Sequence, residues 1–227
     1  MTGALQATPI VLGYVPIGLA FGVLAQKAGI APAAALAMSV FVYAGSAQLI
    51  AVGMISAGAS PLAIVLTTFV VNLRHLLMAA ALSPYLRRWS RRALAVFAYE
   101  LTDETFAVHV TRFAALPDEV PSRSAVLVTN ATAQAAWLLG TGLGVALGSA
   151  IADVRPYGLD YALPAMFIAL LVLQVKGRLD VLVALLAGAL SVGLHLAGIQ
   201  QWNVLAATVV GALLGALCEG WIERRSA

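Results

Sequence analysis

Charge is what this chain has least of. Only 10% of its 227 residues are Asp, Glu, Lys or Arg and 62% are hydrophobic, where soluble domains carry roughly 25% charged residues. Together with a mean hydropathy of +0.95, this excludes an ordinary water-soluble domain and predicts an integral membrane protein. The one cysteine, Cys218, excludes an internal disulfide. There is no Rossmann fingerprint, no Walker A sequence and no Cys/His metal cluster, so the sequence implies no nucleotide hydrolysis and no cofactor. It also lacks a basic n-region followed by a short apolar stretch and a small-residue cleavage site, and no removable signal peptide is expected. The net charge of +3 comes from basic residues in short loops, a pattern that sets membrane topology and does not suggest nucleic acid.

What remains is a series of apolar segments. Residues 9–25, 32–57, 61–82, 125–151, 161–175, 179–198 and 203–222 are each predicted to span the membrane. Lys27, the cluster Arg87-Arg88-Trp89-Ser90-Arg91-Arg92, Lys176 with Arg178, and Arg224 with Arg225 mark cytoplasmic turns. Residues 93–110 are apolar yet hold Glu100, Asp103 and Glu104, which share one stripe if the segment is a single helix. The flanking basic markers both fall inside, so this acidic segment does not cross once. It is read as re-entrant or broken, the alternative being an amphipathic helix on the surface, where an acidic face is repelled by the inner leaflet. The expected fold is all-α: a polytopic membrane protein of about seven transmembrane helices plus that segment, forming a single transport domain over residues 1–227 with the amino terminus outside.

The polar residues inside these spans are the candidate site. Asn72-Leu73-Arg74-His75 lies near the middle of the 61–82 span, where an arginine costs roughly 2.5–3.5 kcal/mol by insertion scales and therefore faces a cavity or a partner. Asn72 and His75 sit about 60° apart on a helix, with Arg74 turned about a further 100° away. Arg74 is read as a substrate or ion contact, or else as a strut capping a broken helix. In 32–57, Ser39, Tyr43, Ser46 and Gly53 recur on one stripe, and Ala44-Gly45-Ser46-Ala47-Gln48 is a place where the helix could unwind. The other reading of that stripe is a close helix contact through small residues. Pro16, with Gly13, Gly18 and Gly22 around it, predicts a kink or interruption of the first span. In 125–151, Asn130, Gln134, Trp137 and Thr141 fall on one face. Tyr14-Val15-Pro16 and Tyr161-Ala162-Leu163-Pro164 each precede a basic turn, a weak hint of an internal repeat.

Four stretches occur in one order and spacing: Gly13-Tyr14-Val15-Pro16-Ile17-Gly18-Leu19-Ala20-Phe21-Gly22, Ala44-Gly45-Ser46-Ala47-Gln48, Asn72-Leu73-Arg74-His75 and Leu101-Thr102-Asp103-Glu104. In these the chain resembles the AzlC-type permeases, the large subunits of bacterial two-component branched-chain amino acid exporters. The similarity covers about residues 10–110 and thins beyond, where Ala162-Leu163-Pro164-Ala165-Met166-Phe167-Ile168-Ala169-Leu170 still fits. Two positions depart from the pattern: Ile17, where an aromatic residue is expected, and Ser46, where alanine is common. The resemblance implies an exporter of the bacterial inner membrane that works with a small AzlD-type membrane partner and is not an enzyme.

On that reading Arg74 grips the substrate carboxylate in bidentate fashion. Asp103 or Glu104 meets the ammonium group or carries a coupling proton. Asn72, His75, Glu100, Tyr43, Ser46 and Gln48 complete the substrate or proton pathway, and Pro16, Gly18 and Gly45 supply a kink or gate. Two other classes compete with it: a non-transporting scaffold subunit, and an intramembrane hydrolase with Ser46 as nucleophile and His75 or His109 as base.

Overall fold

The computed structural model describes residues 3–115, 122–151 and 177–198 continuously, with scattered positions within 156–175 and 203–218. Lys176, Arg224, Arg225, half of the repeat candidate at 161–164 and much of the expected spans 161–175 and 203–222 lie outside the described residues. All regular elements with described bounds are helical: α1 (Gly3–Gln6), α2 (Thr8–Lys27), α3 (Pro32–Phe41), α4 (Gly45–Ser56), α5 (Pro61–Leu82), α6 (Arg91–Tyr99), α7 (Asp103–Ala115), α8 (Arg123–Gly148) and α9 (Arg178–Leu196). Among them α2, α9 and α5 with its 3₁₀ extension to Leu86 are long and apolar enough to cross a membrane. The protein is an all-α, polytopic membrane protein.

Local chemistry sets the helix ends. Pro32 and Pro61 open α3 and α5, where a missing N–H costs nothing. Ser60 caps α5 and Ser90 caps α6, accepting from the amides of Ala63 and Ala93 at 3.3 and 3.4 Å. Gly29 and Gly58, at φ 78° and 71°, end α2 and α4 in the left-handed turn that glycine adopts without strain.

The core is a crossing of α2 and α8, the most extensive helix contact in the fold. Gly18 and Gly22 face Gly140 and Gly144. A Cβ on Gly144 would sit 2.1 Å from the Leu19 carbonyl oxygen, and one on Gly22 2.4 Å from that of Thr141. Two glycine pairs at a spacing of four bring the backbones into contact, a packing that membrane helices favour because lipid offers no hydrophobic drive to associate. Around this pair α8 also meets α1, α3, α6 and α7. Tyr14, Phe21, Leu49, Val52 and Trp137 belong to the cluster it buries. A second cluster of Leu82, Leu86, Trp89, Phe97 and Phe113 seals the end near the arginines. Trp89, expected at the membrane interface, is buried edge-on against Phe97 with ring centroids 5.9 Å apart, while the four arginines beside it are exposed.

Three expectations change in detail. The first span is not interrupted: α2 runs through Pro16, whose ring lies on an exposed position, while Gly18 serves the contact with α8. The 32–57 span is two helices, and its break falls at Val42–Ala44, just ahead of the expected unwinding. The acidic segment is likewise two helices, parted at Glu100–Thr102, so Glu100 does not share a helix face with Asp103 and Glu104. With nine to thirteen residues, each half is roughly 20 Å or shorter and too short to cross alone.

Candidate functional site

The second halves of the two broken helices begin at the same small cavity. α4 starts at Gly45 and α7 at Asp103, and the first-turn residues Gly45, Ser46, Asp103 and Glu104 line it. First-turn amides have no intrahelical acceptor and form the positive end of the helix dipole. At α7 side chains fix the start: Thr102 Oγ1 accepts from the Thr105 amide at 3.4 Å, and Thr105 Oγ1 accepts from the Thr102 amide at 2.9 Å. This reciprocal cap sets the direction of the two carboxylates that follow. At α4 the approach is strained. Tyr43 takes φ 40°, a left-handed conformation that costs a bulky side chain roughly 1–2 kcal/mol, and strain of this kind gathers at functional sites. Its ring is buried and its hydroxyl has no partner.

Arg74 projects from α5 between the two helix starts. Its Nη2 lies 2.9 Å from Asp103 Oδ2 and also donates to Ser46 Oγ. The two charged side chains are 25% and 22% exposed, so the pair stands at the cavity edge. Both contacts use Nη2, whereas Nε is buried and meets no acceptor. Nε shares its edge of the guanidinium with Nη2, so a second carboxylate grips that edge in bidentate fashion by displacing Ser46 or Asp103. On the facing side, Tyr14 of α2 donates to Glu104 Oε2 at 2.6 Å and lies 2.7 Å from Thr102 Oγ1. Ile17, Tyr43 and Trp137 give the lining its apolar part. The cavity has about 20 Å³ open to the centre of a water molecule, room for roughly one or two waters. It is closed, and an amino acid fits only when the lining segments separate.

The structure brings Tyr43, Gly45, Ser46, Arg74, His75, Asp103 and Glu104 together at this cavity. It places Asn72, Gln48, Glu100, Pro16 and Gly18 away from the lining. Asn72 gives its backbone carbonyl to His75 Nδ1 at 3.1 Å. Gln48 belongs to a second polar knot, where Ser39 Oγ accepts from Gln48 Nε2 at 3.1 Å and from the Trp137 indole at 3.2 Å, and lies 2.8 Å from Thr141 Oγ1. That knot ties both halves of the first broken helix to α8. Glu100 is buried at the end of α6. For the hydrolase reading, Ser46 Oγ accepts from Arg74 and has no hydrogen bond to His75, whose Nδ1 meets the Asn72 carbonyl, while His109 Nε2 lies 2.7 Å from Asn130 Oδ1 in a separate aromatic sleeve between Phe97 and Phe113.

Sequence reasoning did not put Tyr14, Thr102 or Trp137 in the site. The signal for Trp137 was present, since it shares a helix face with Asn130 and Thr141, but that face alone does not say which helix it meets. Ile17 and Ser46, the two departures from the family pattern, both stand in the lining.

The chain is similar to known membrane proteins over most of its length. The family described as AzlC protein matches residues 9–151. A membrane protein of Archaeoglobus fulgidus is 32% identical over 96% of this chain and 93% of its own length. The inner membrane protein YgaZ of Escherichia coli is 29% identical over 96% of this chain and 88% of its own. The branched-chain amino acid transport protein AzlC of Bacillus subtilis is 26% identical over 73% of this chain and 64% of its own. No solved structure matches.

Proposed function

Because the chain belongs to the AzlC protein family, we propose that it exports branched-chain and other small apolar amino acids across the bacterial inner membrane. It does so in exchange for protons and together with a small AzlD-type membrane partner. One observation carries the substrate class: Arg74, whose Nε has no acceptor, lines a cavity formed at the starts of two half-helices. That arrangement suits a carboxylate, since charge-assisted hydrogen bonds and two helix dipoles act on the same point. Asp103 and Glu104 offer the ammonium group its partners, and Ile17, Tyr43 and Trp137 offer an aliphatic side chain its wall. The outward direction and the partner rest on the family resemblance alone.

The test is efflux of preloaded radiolabelled valine, leucine, isoleucine and methionine from cells expressing the chain with and without a small partner subunit. Efflux of these four, with aspartate and lysine retained, is the expected result. If none of the four leaves the cells with both subunits present, the proposal fails. The lining also makes a prediction about selectivity. Ile17→Ala removes branched bulk beside the cavity and should raise the preference for methionine over valine by ~10-fold, read from competition in the same assay. Equal competition by both would take Ile17 out of the substrate wall.

A further inference from the structure

The three carboxylates of the second break are not equivalent. Asp103 is paired to Arg74 at 2.9 Å, and Glu104 receives the Tyr14 hydroxyl at 2.6 Å. Both stand in the first turn of α7, where the helix dipole favours a negative charge. Glu100 stands at the opposite kind of end. It is the C-cap residue of α6, its amide bonded to the Val96 carbonyl at 3.1 Å, and there the dipole opposes a negative charge. Its side chain is 8% exposed, and Oε2 is buried with no donor. Among the described residues no ion pair includes it.

Among the described residues no cation pairs with Glu100. Tyr43 of the first break lies within electrostatic range of both Glu100 and Glu104, and its own hydroxyl is unpartnered. Tyr99 precedes Glu100, its hydroxyl taking a hydrogen bond from Gln134 of α8 at 3.1 Å. Asp103, Glu104 and Arg74 are occupied as described. One oxygen, Oε2, is buried without a donor, and an unpaired buried oxygen favours the neutral acid over the carboxylate.

We infer that Glu100, and neither Asp103 nor Glu104, carries the exchangeable proton that couples amino acid export to the proton gradient. The inference rests on the transport reading above and names the proton site within it. In the cycle the Glu100 O–H bond breaks, the proton passes to water on the cytoplasmic side, and the carboxylate takes one proton from water on the other side. No electrons move. Tyr43 links this event to the substrate, because it lines the cavity and lies within electrostatic range of Glu100.

Vesicles from cells expressing the full chain, with its partner subunit where one is supplied, separate the two steps. Counterflow of radiolabelled leucine measures substrate exchange without net proton movement. Accumulation driven by an imposed gradient of one pH unit measures coupling, and one-for-one exchange gives up to ~10-fold accumulation. Glu100→Gln should keep counterflow while losing accumulation, and Glu100→Asp should restore accumulation. Accumulation by Glu100→Gln at the unsubstituted level would overturn the assignment. So would joint loss of counterflow and accumulation in both variants at normal protein levels, which would mean a structural or substrate role. Counterflow without any gradient response in the unsubstituted protein would also overturn it, while leaving transport intact. Absence of counterflow in the unsubstituted protein would sink the transport reading itself.

Discussion

Gly144→Ala is expected to prevent normal assembly of the helix core, although it adds only one methyl group. The added Cβ would meet the Leu19 carbonyl oxygen at 2.1 Å, the Leu19 carbonyl carbon at 2.9 Å and Gly22 Cα at 3.0 Å. All three are backbone atoms, so no rotamer change relieves the clash and α2 must move away from α8. Such overpacking costs typically 1–3 kcal/mol where side chains can adjust, and here the upper end or beyond is expected. Displacing the helices would also disturb Tyr14 and Trp137, which those same helices carry into the cavity. The control is two residues away. A Cβ on Gly142 meets nothing within 4 Å, and Gly142→Ala should be neutral or stabilising by roughly 0.5–1 kcal/mol. Thermal aggregation in detergent decides: a large fall for Gly144→Ala and none for Gly142→Ala is the prediction, and equal stability of the two would remove the glycine crossing from the account.

The second large effect concerns Arg74. Arg74→Lys keeps a cation beside Asp103 but loses the planar edge that includes Nε, so the protein should reach normal levels while apparent substrate affinity falls by ~10–100-fold. Arg74→Ala should do more, leaving Asp103 and Ser46 without their donor. Breaking a fully buried pair costs roughly 3–5 kcal/mol, and a smaller penalty is expected here because about a quarter of each side chain is exposed. Adding Asp103→Ala to Arg74→Ala should recover stability without recovering transport. Counterflow concentration curves, alongside detergent stability, separate the two roles. A lysine variant with unchanged affinity would make Arg74 a strut, held only to close the break.

Much of the fold was legible because a bilayer simplifies the chemistry. The bounds 61–82 are those of α5, since proline and a serine cap mark its start and its apolar run is long enough to need no other signal. The close approach at Gly18 and Gly22 could be anticipated from small residues in an apolar helix. Gly13, of the same type and in the same motif, touches nothing, because helix rotation is fixed by the partner and the sequence does not name the partner. The breaks were harder to place. Apolar composition continues through Val42–Ala44, so hydropathy sees one span, and Tyr43 occupies a left-handed position where glycine would have given the turn away. Glu100 was misread for the same reason: three carboxylates share a face on an unbroken helix, and two missing helical residues after it undo that geometry. Arg74 and its two partners come from three separated segments, a juxtaposition that local spacing does not encode.

Trp137 has a consequence of another kind. Its indole is buried, fixed by the hydrogen bond to Ser39, edge-on to Tyr14, stacked with Phe21 and in contact with the cavity beside Gly45. Whatever opens the cavity must change the surroundings of that ring, and with them the wavelength and yield of its emission. With Trp89, Trp202 and Trp221 replaced by phenylalanine, the protein would carry its own optical gauge of cavity opening, read in real time without a label.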